Sequence, residues 1–106
     1  MTTIVNHNLS VAETIRRQLG GHRFESMTGA KNFVGGGNFL KFSLPNKAAK
    51  DKINMVVVHL DSDDTYTIKF YSMRGLSLKL VSESCGVYWD QLRDVFTRAT
   101  GLYTHL

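Results

Sequence analysis

The sequence of 106 residues contains one cysteine, Cys85, and one proline, Pro45. A single cysteine excludes an internal disulfide, so the core alone has to hold the fold together. No apolar run approaches the ~18 residues that a membrane-spanning helix needs. Residues 1–8 contain neither a basic start nor an apolar stretch, so we expect no signal peptide. These features predict a cytoplasmic protein without a membrane partner.

The composition is that of an ordinary globular domain. Hydrophobic residues make up 42% and charged residues 21%, which argues against a disordered tail, and we expect residues 1–106 to form a single domain. The net charge of +4 is uneven: residues 1–52 contain eight Lys/Arg and three Asp/Glu, while residues 53–106 contain five and six. A basic half can attract polyanions, although a net charge of this size is also normal for solubility alone.

Two helices are predicted. Ser10 and Glu13 have the spacing of a capping box, Val11, Ile15 and Leu19 form an apolar stripe, and Gly20-Gly21 would end the first helix. The second helix is predicted over residues 87–100, before Gly101. Its expected apolar face consists of Tyr88, Leu92, Val95, Phe96 and Ala99.

Alternating apolar residues predict five strands, at 22–27, 39–44, 53–60, 65–71 and 76–81, while residues 28–32 are expected to form a loop and Phe33-Val34 a short apolar anchor. Short connections between the last three strands favour antiparallel neighbours. We therefore predict an α+β fold in which an N-terminal and a C-terminal helix pack on one face of a five-stranded antiparallel sheet. The expected core face carries Leu40, Phe42, Leu44, Val56, Val58, Leu60, Tyr66, Ile68, Phe70, Leu76, Leu78 and Leu80. Ile68 is placed opposite Leu78, with a loop from Ser72 to Arg74.

The other face of the predicted sheet is basic and aromatic. Lys41, Lys69 and Lys79 would contact phosphates, and bases would stack on Phe39 and Tyr71. This pattern indicates a binding surface for single-stranded nucleic acid. The alternative is an ordinary solvated sheet face on which lysines extend into water.

The middle strand of this face is apolar, with Ile53, Met55 and Val57 in alternation. A fully solvated face rarely carries such a stripe, so we expect a cover: the N-terminal arm, the C-terminal tail, a second subunit in a homodimer, or a ligand. Trp89 directly follows Tyr88, and both cannot face the core from one helix. Exposure of Trp89 would favour a protein contact there.

Other patterns are weaker. Gly35-Gly36-Gly37 near Lys31 could bind a phosphate through backbone amides, but a flexible loop is the alternative. Asp61, Asp63 and Asp64 lack the later ligands of a calcium loop. The four histidines lack metal-ligand spacing, and Cys85 has no identifiable general base, although His59 could approach it. We therefore expect no metal, no cofactor and no enzymatic activity.

Four segments together resemble a family of small uncharacterised proteins encoded by bacteriophages, prophages and other mobile elements. They are Gln18–Gly21, Met27–Phe33, Gly86–Tyr88 and Thr100–Thr104. The resemblance implies a genetic context, with the cytoplasm of an infected or lysogenic bacterium as the location. It implies either binding of nucleic acid or binding and disabling of a host protein, in an anti-defence role.

Overall fold

The computed structural model describes residues 3–46 and 48–102, with side chains from Val11 onward. The described residues form three helices: α1 (Thr3–Leu19), α2 (Gly21–Thr28) and α3 (Leu92–Thr100). The strands are β1 (Lys31–Gly35), β2 (Phe39–Ser43), β3 (Met55–Leu60), β4 (Tyr66–Arg74) and β5 (Ser77–Val87). They form one antiparallel sheet in the order β1-β2-β3-β4-β5. The predicted α+β fold is confirmed, with two helices before the sheet and one after it.

The N-terminal helix is longer than predicted. It begins at Thr3, so Ser10 lies inside the helix and cannot act as its N-cap. The predicted end is right: α1 stops at Leu19, and Gly20 then adopts φ 131, a conformation that is open to glycine because it lacks a Cβ.

The prediction of a strand at 22–27 is wrong, because this segment lies in α2. Phe24 and Thr28 are both buried, and their spacing of four residues places them on one side of a helix. The Phe24 ring packs edge-on against Phe42 and Phe96, with centroids 5.4 and 5.2 Å away. The first strand instead occupies Lys31–Gly35, which we had predicted as a loop and a short apolar anchor. A six-residue segment has too few apolar positions to distinguish the two periods, so tertiary packing decides.

Helices α2 and α3 end in the same way. Thr28 and Thr100 each donate their hydroxyl to the carbonyl oxygen four residues earlier, at 2.7 and 2.8 Å. Each hydroxyl also accepts a bond from the amide two residues later, on Ala30 or Leu102. A left-handed glycine, Gly29 or Gly101, lies between. This threonine–glycine helix end lies in two of the four segments that carry the resemblance, Met27–Phe33 and Thr100–Thr104.

The core lies between the helices and one face of the sheet. Its fully buried side chains include Ile15, Leu19, Phe24, Phe42, Ile53, Val56, Val58, Ile68, Phe70, Leu92 and Phe96. The predicted core positions of β2, β3 and β4 are confirmed, with Leu60 partly buried. Ile53 is a correction: it precedes β3 and is only 1% exposed, so it belongs to the core and not to the opposite face.

The predicted register between the last two strands is also wrong. Ile68 lies opposite Ser84 and Arg74 opposite Ser77, so the hairpin is longer and turns at Gly75-Leu76. Gly75 has φ 58, and glycine at the first position of a two-residue turn suits the twist of a hairpin. Leu76, Leu78 and Leu80 consequently lie beyond the core and are 104%, 54% and 46% exposed.

The C-terminal helix is shorter than predicted. Val87 ends β5, a 3-10 turn covers Trp89–Gln91, and α3 starts at Leu92. Leu92 and Phe96 are buried, and Val95 and Ala99 pack against the same core. Tyr88, which we placed on the apolar face, is exposed instead. The C-terminal tail, residues 102–106, is expected to dock on the body. Leu102 packs against the core, and residues 103–106 lie outside the described residues.

Candidate functional site

The face of the sheet opposite the core, here called the open face, carries three rows of side chains. Residues directly opposite each other in an antiparallel pair project to the same side, so the register defines these rows. One row contains Phe39, His59 and Thr67; the second contains Val34, Lys41, Val57, Lys69 and Glu83; the third contains Lys31, Ser43, Met55, Tyr71 and Leu80. The middle of the face is half-buried by its own neighbours.

Three lysines lie on the open face, and they come from three different strands. Lys41 and Lys69 flank Val57 in the second row, as predicted. Lys31 belongs to this face as well, because it lies opposite Ser43 at the start of β1. Three lysines therefore share one face with the half-buried Tyr71 and Met55, which favours attraction of a polyanion.

Lys79 does not belong to the open face. It lies opposite Ser72, and strand alternation puts Ser72 on the same side as the buried Phe70. The prediction that Lys41, Lys69 and Lys79 share one surface is therefore wrong. It depended on the shorter hairpin. The extra residue in β5 between the pairs Phe70–Ser82 and Tyr71–Leu80 makes residues 77–80 alternate out of step with residues 82–84.

Phe39 and His59 form the aromatic end of the open face. They are cross-strand partners whose ring centroids lie 5.7 Å apart at an angle of 46°. The Phe39 ring lies directly against Gly36, where any Cβ would overlap it. Tyr71, the other predicted stacking residue, lies on β4 at the opposite end of the face. A strand of nucleic acid could contact both rings only by crossing the sheet.

An acidic residue, Glu83, lies beside the lysines of the open face. Glu83 lies opposite Lys69, and its Oε2 is 4.0 Å from Nζ of Lys69. Both side chains are more than a third exposed, so the pair contributes little to stability but lowers the local positive potential. Glu83 lies beyond the predicted end of the last strand at residue 81, so it was not among the expected residues of this face. The alternation that continues through Glu83 and Cys85 was the available signal.

Cys85 and His59 do not come together. Cys85 is exposed, and its Sγ lies 3.9 Å from Oε2 of Glu83. Thr67 of β4 separates the β3 strand of His59 from β5, so the two residues are two interstrand spacings apart, roughly 9–10 Å. This geometry provides no nucleophile–base pair at these two positions.

The partner-binding residues predicted on the middle strand are divided between the two faces. Met55 and Val57 lie half-buried on the open face, while Ile53 is in the core. The apolar surface instead continues along the β4–β5 hairpin. Met73 and Leu78 are opposite each other, next to Tyr71 and Leu80, and Met73 is 42% exposed. Met73, Leu76, Leu78 and Leu80 are here called the hairpin patch. Their side chains are more exposed than those of the predicted stripe.

Trp89 lies away from the open face. Both Trp89 and Tyr88 are exposed, and Trp89 borders a shallow depression with Arg17, Gln18, Asp90 and Arg93. The expected exposure of at least one of these rings is therefore confirmed. The depression lies between the end of α1 and the start of α3.

The glycine loop at 35–37 and the aspartate turn at 61–64 form hydrogen bonds with their own neighbouring residues. The amide of Gly36 donates to the carbonyl of Phe39 at 3.0 Å, closing the β1–β2 hairpin. Lys31 lies four residues from Gly35 along β1, a distance of roughly 13 Å, so it does not form a phosphate-binding site together with the glycines. The hydroxyl and the amide of Thr65 both donate hydrogen bonds to the Asp63 carboxylate. These bonds, the hydroxyl's first and the amide's second, lower the pKa of Asp63.

Among the described residues, no group of three His, Cys, Asp or Glu side chains is placed to hold a metal ion. No helix in the described part of the chain is long and apolar enough to cross a membrane. Comparison of the chain with protein-family models, curated proteins and solved structures produced no match. The open face and the hairpin patch therefore carry the functional argument.

Proposed function

We propose that this protein binds single-stranded nucleic acid on the open face of its sheet, as an accessory protein of a phage or mobile element. The observation that carries the proposal is the register, which brings Lys31, Lys41 and Lys69 onto one face with Phe39, His59 and Tyr71. Lysines supply sequence-independent contacts to phosphates, and exposed rings stack on any base. The resemblance to mobile-element proteins fits such a role.

The expected energetics separate the two kinds of contact. Stacking of one base on one aromatic side chain contributes about 1–3 kcal/mol. Each lysine that neutralises a phosphate of a single strand steepens the salt dependence, with a slope in log K against log salt of about −0.7 per contact. Three lysines therefore predict a contribution of about −2 to this slope.

The test is fluorescence anisotropy with labelled single- and double-stranded DNA and RNA at several salt concentrations. We expect single strands to bind more tightly, and Lys31→Gln/Lys41→Gln/Lys69→Gln to weaken binding and flatten the slope by about 2. Phe39→Leu and Tyr71→Leu keep apolar bulk but lose the ring. Each should weaken binding by about 5–150-fold with the slope unchanged.

The matched control removes the same charge elsewhere. Arg23, Arg93 and Arg98 are exposed on α2 and α3, and Arg23→Gln/Arg93→Gln/Arg98→Gln should retain most of the binding. If this control loses as much binding affinity as the lysine variant, net charge alone explains the loss, and a site on the open face is contradicted. No binding of wild-type protein to any strand at low salt would refute the function itself.

The hairpin patch favours a second candidate, a binder that inhibits a host protein. Leu76, Leu78 and Leu80 are all about half exposed or more, and contiguous exposed apolar side chains often mark protein contacts. We expect affinity purification from a bacterial lysate to yield a partner that Leu78→Ser/Leu80→Ser no longer retains. The purified partner must then form a defined complex with wild-type protein, and failure to do so, or a homodimer in sedimentation, would reject this candidate.

A further inference from the structure

A series of neighbouring depressions, here called the groove, lies around the end of the sheet at the β4–β5 hairpin. Three adjoining depressions form it, and consecutive depressions share residues. The first lies at the edge of the open face and contains Lys31, Met55 and Met73. The second shares Asn46, Asn54, Met73 and Gly75 with the first, and Lys52, Ser72 and Arg74 with the third. The third, of ≈ 620 Å³, lies on the helix side of the hairpin.

The helix-side part of this groove, here called the end groove, is basic. Three cations, Lys52, Arg74 and Lys79, line it, together with the hydroxyls of Ser72 and Ser77 and one carboxylate, Asp51. The rest of the lining is apolar and comes from Leu78, Leu80 and Val81. The register explains the arrangement: Lys79 lies opposite Ser72 and Arg74 opposite Ser77, so both cations project to the helix side. Diagonal neighbours of this kind are roughly 7–8 Å apart.

Among the described residues, the three cations of the end groove form no ion pair, although the Asp51 carboxylate lines the same groove. In the part of the chain that the structure describes, the ion pairs are Arg16–Glu25 and Lys69–Glu83, and neither involves the groove. Asp51 and Lys52 have φ 56 and 61, so the turn that carries Lys52 holds two successive residues in the left-handed region. That turn is closed by a bond from the Ile53 amide to the Lys50 carbonyl at 3.1 Å. Lys52 therefore projects from a defined backbone.

We propose that a bound single strand passes from the open face around the hairpin end and that its phosphates lie in the end groove, on Lys52, Arg74 and Lys79. This inference rests on the proposed function and extends it, because it gives the strand a route and makes the length of the ligand matter. Charge complementarity identifies the occupant as a polyanion. The first depression contains Lys31 at the edge of the open face and shares residues with the second, which places the groove beside the stacking surface. Guanidinium and ammonium groups flanked by hydroxyls suit phosphate oxygens.

The experiment compares strand lengths. Oligothymidylates and oligouridylates of about 4 and about 16 nucleotides span the range of single-strand sites on small β domains. We expect Lys52→Gln/Arg74→Gln/Lys79→Gln to weaken binding of the long strand and to flatten its salt slope by about 2, while binding of the short strand stays unchanged. Lys31→Gln/Lys41→Gln/Lys69→Gln should weaken both lengths.

Two controls make the result specific. Arg23→Gln/Arg93→Gln/Arg98→Gln removes three positive charges outside the groove, and Lys52→Arg/Arg74→Lys/Lys79→Arg keeps the groove charge and should restore long-strand binding. Thermal unfolding checks that each variant folds. If the groove variant binds the long strand as tightly as the helix control does, the groove proposal is overturned, but the proposal of binding on the open face is not. Equal losses for both lengths also overturn the groove proposal. No binding by wild-type protein overturns the groove and the proposed function together.

Discussion

The side chain of Asn54 pairs with the backbone of Met73 as though it were one more residue of the sheet. Its Nδ2 donates to the Met73 carbonyl, and its Oδ1 accepts the Met73 amide, both at 2.8 Å. The same Nδ2 lies 3.2 Å from Oδ1 of Asn46. Because Met73 lies beyond the last β3–β4 pair, Met55–Tyr71, Asn54 extends the ladder toward the turn and holds the base of the hairpin against the sheet.

Replacement of Asn54 should therefore loosen the hairpin. We expect Asn54→Ala to lower the free energy of unfolding by about 1–2 kcal/mol, since it removes two good hydrogen bonds in a partly exposed place. Asn54→Asp keeps the acceptor but sets a carboxylate against the Met73 carbonyl, so it should cost at least as much. Urea unfolding measures both. A midpoint equal to that of wild type for Asn54→Asp would show that the paired amide does not hold the hairpin.

The repeated helix ends give a second prediction. Thr100→Val preserves shape but removes the hydroxyl that bonds to the Phe96 carbonyl and accepts the Leu102 amide. Thr100 is buried, so we expect a loss of about 1–3 kcal/mol. Thr97→Val in the same helix serves as the control and should change stability by less than about 0.5 kcal/mol. Similar losses in the two variants would indicate helix propensity and not the cap as the cause.

Glu83 is expected to oppose binding on the open face. Glu83→Gln removes the carboxylate beside Lys69 while keeping a side chain of the same length, so single-strand affinity should rise and the salt slope should steepen by up to about 0.7. Anisotropy titrations measure both. Asp94→Gln, at an exposed position of α3, is the control for net charge. An unchanged or weaker affinity in Glu83→Gln would contradict phosphate binding by Lys69.

Gly36 is expected to position Phe39. A methyl group at residue 36 would overlap the Phe39 ring, which must then swing away from its place beside His59. We expect Gly36→Ala to change stability by no more than about 1 kcal/mol, because a side chain and not the backbone has to move. The His59 ring protons should lose their ring-current shift in NMR spectra, and binding should fall as in Phe39→Leu. Gly37→Ala is the control. Unaltered His59 signals would show that the ring is not held in this way.

The open face shows how far alternation alone could predict the site. Phe39, Lys41, Met55, Lys69 and Tyr71 lie where the sequence placed them, because each belongs to a strand whose buried positions alternate strictly. Lys79 lies on the opposite side, and Arg74 and Lys52, assigned to a turn and a connection, line the end groove. These placements depend on where the hairpin turns and on where an extra residue interrupts a strand.

The sequence by itself determined the class of fold, the strands β2 to β4 with their buried faces, and the glycines that end α1 and α3. These features arise from local periods and from conformations that only glycine adopts easily. Tertiary structure decided that residues 22–27 form a helix, that the sheet begins at Lys31, and that Leu78 and Leu80 are exposed. The exposure of Leu78 and Leu80 follows from the register of the last hairpin, whereas a short segment such as 22–27 satisfies both periods about equally. Its state then depends on partners distant in the chain, as Phe24 does on Phe42 and Phe96.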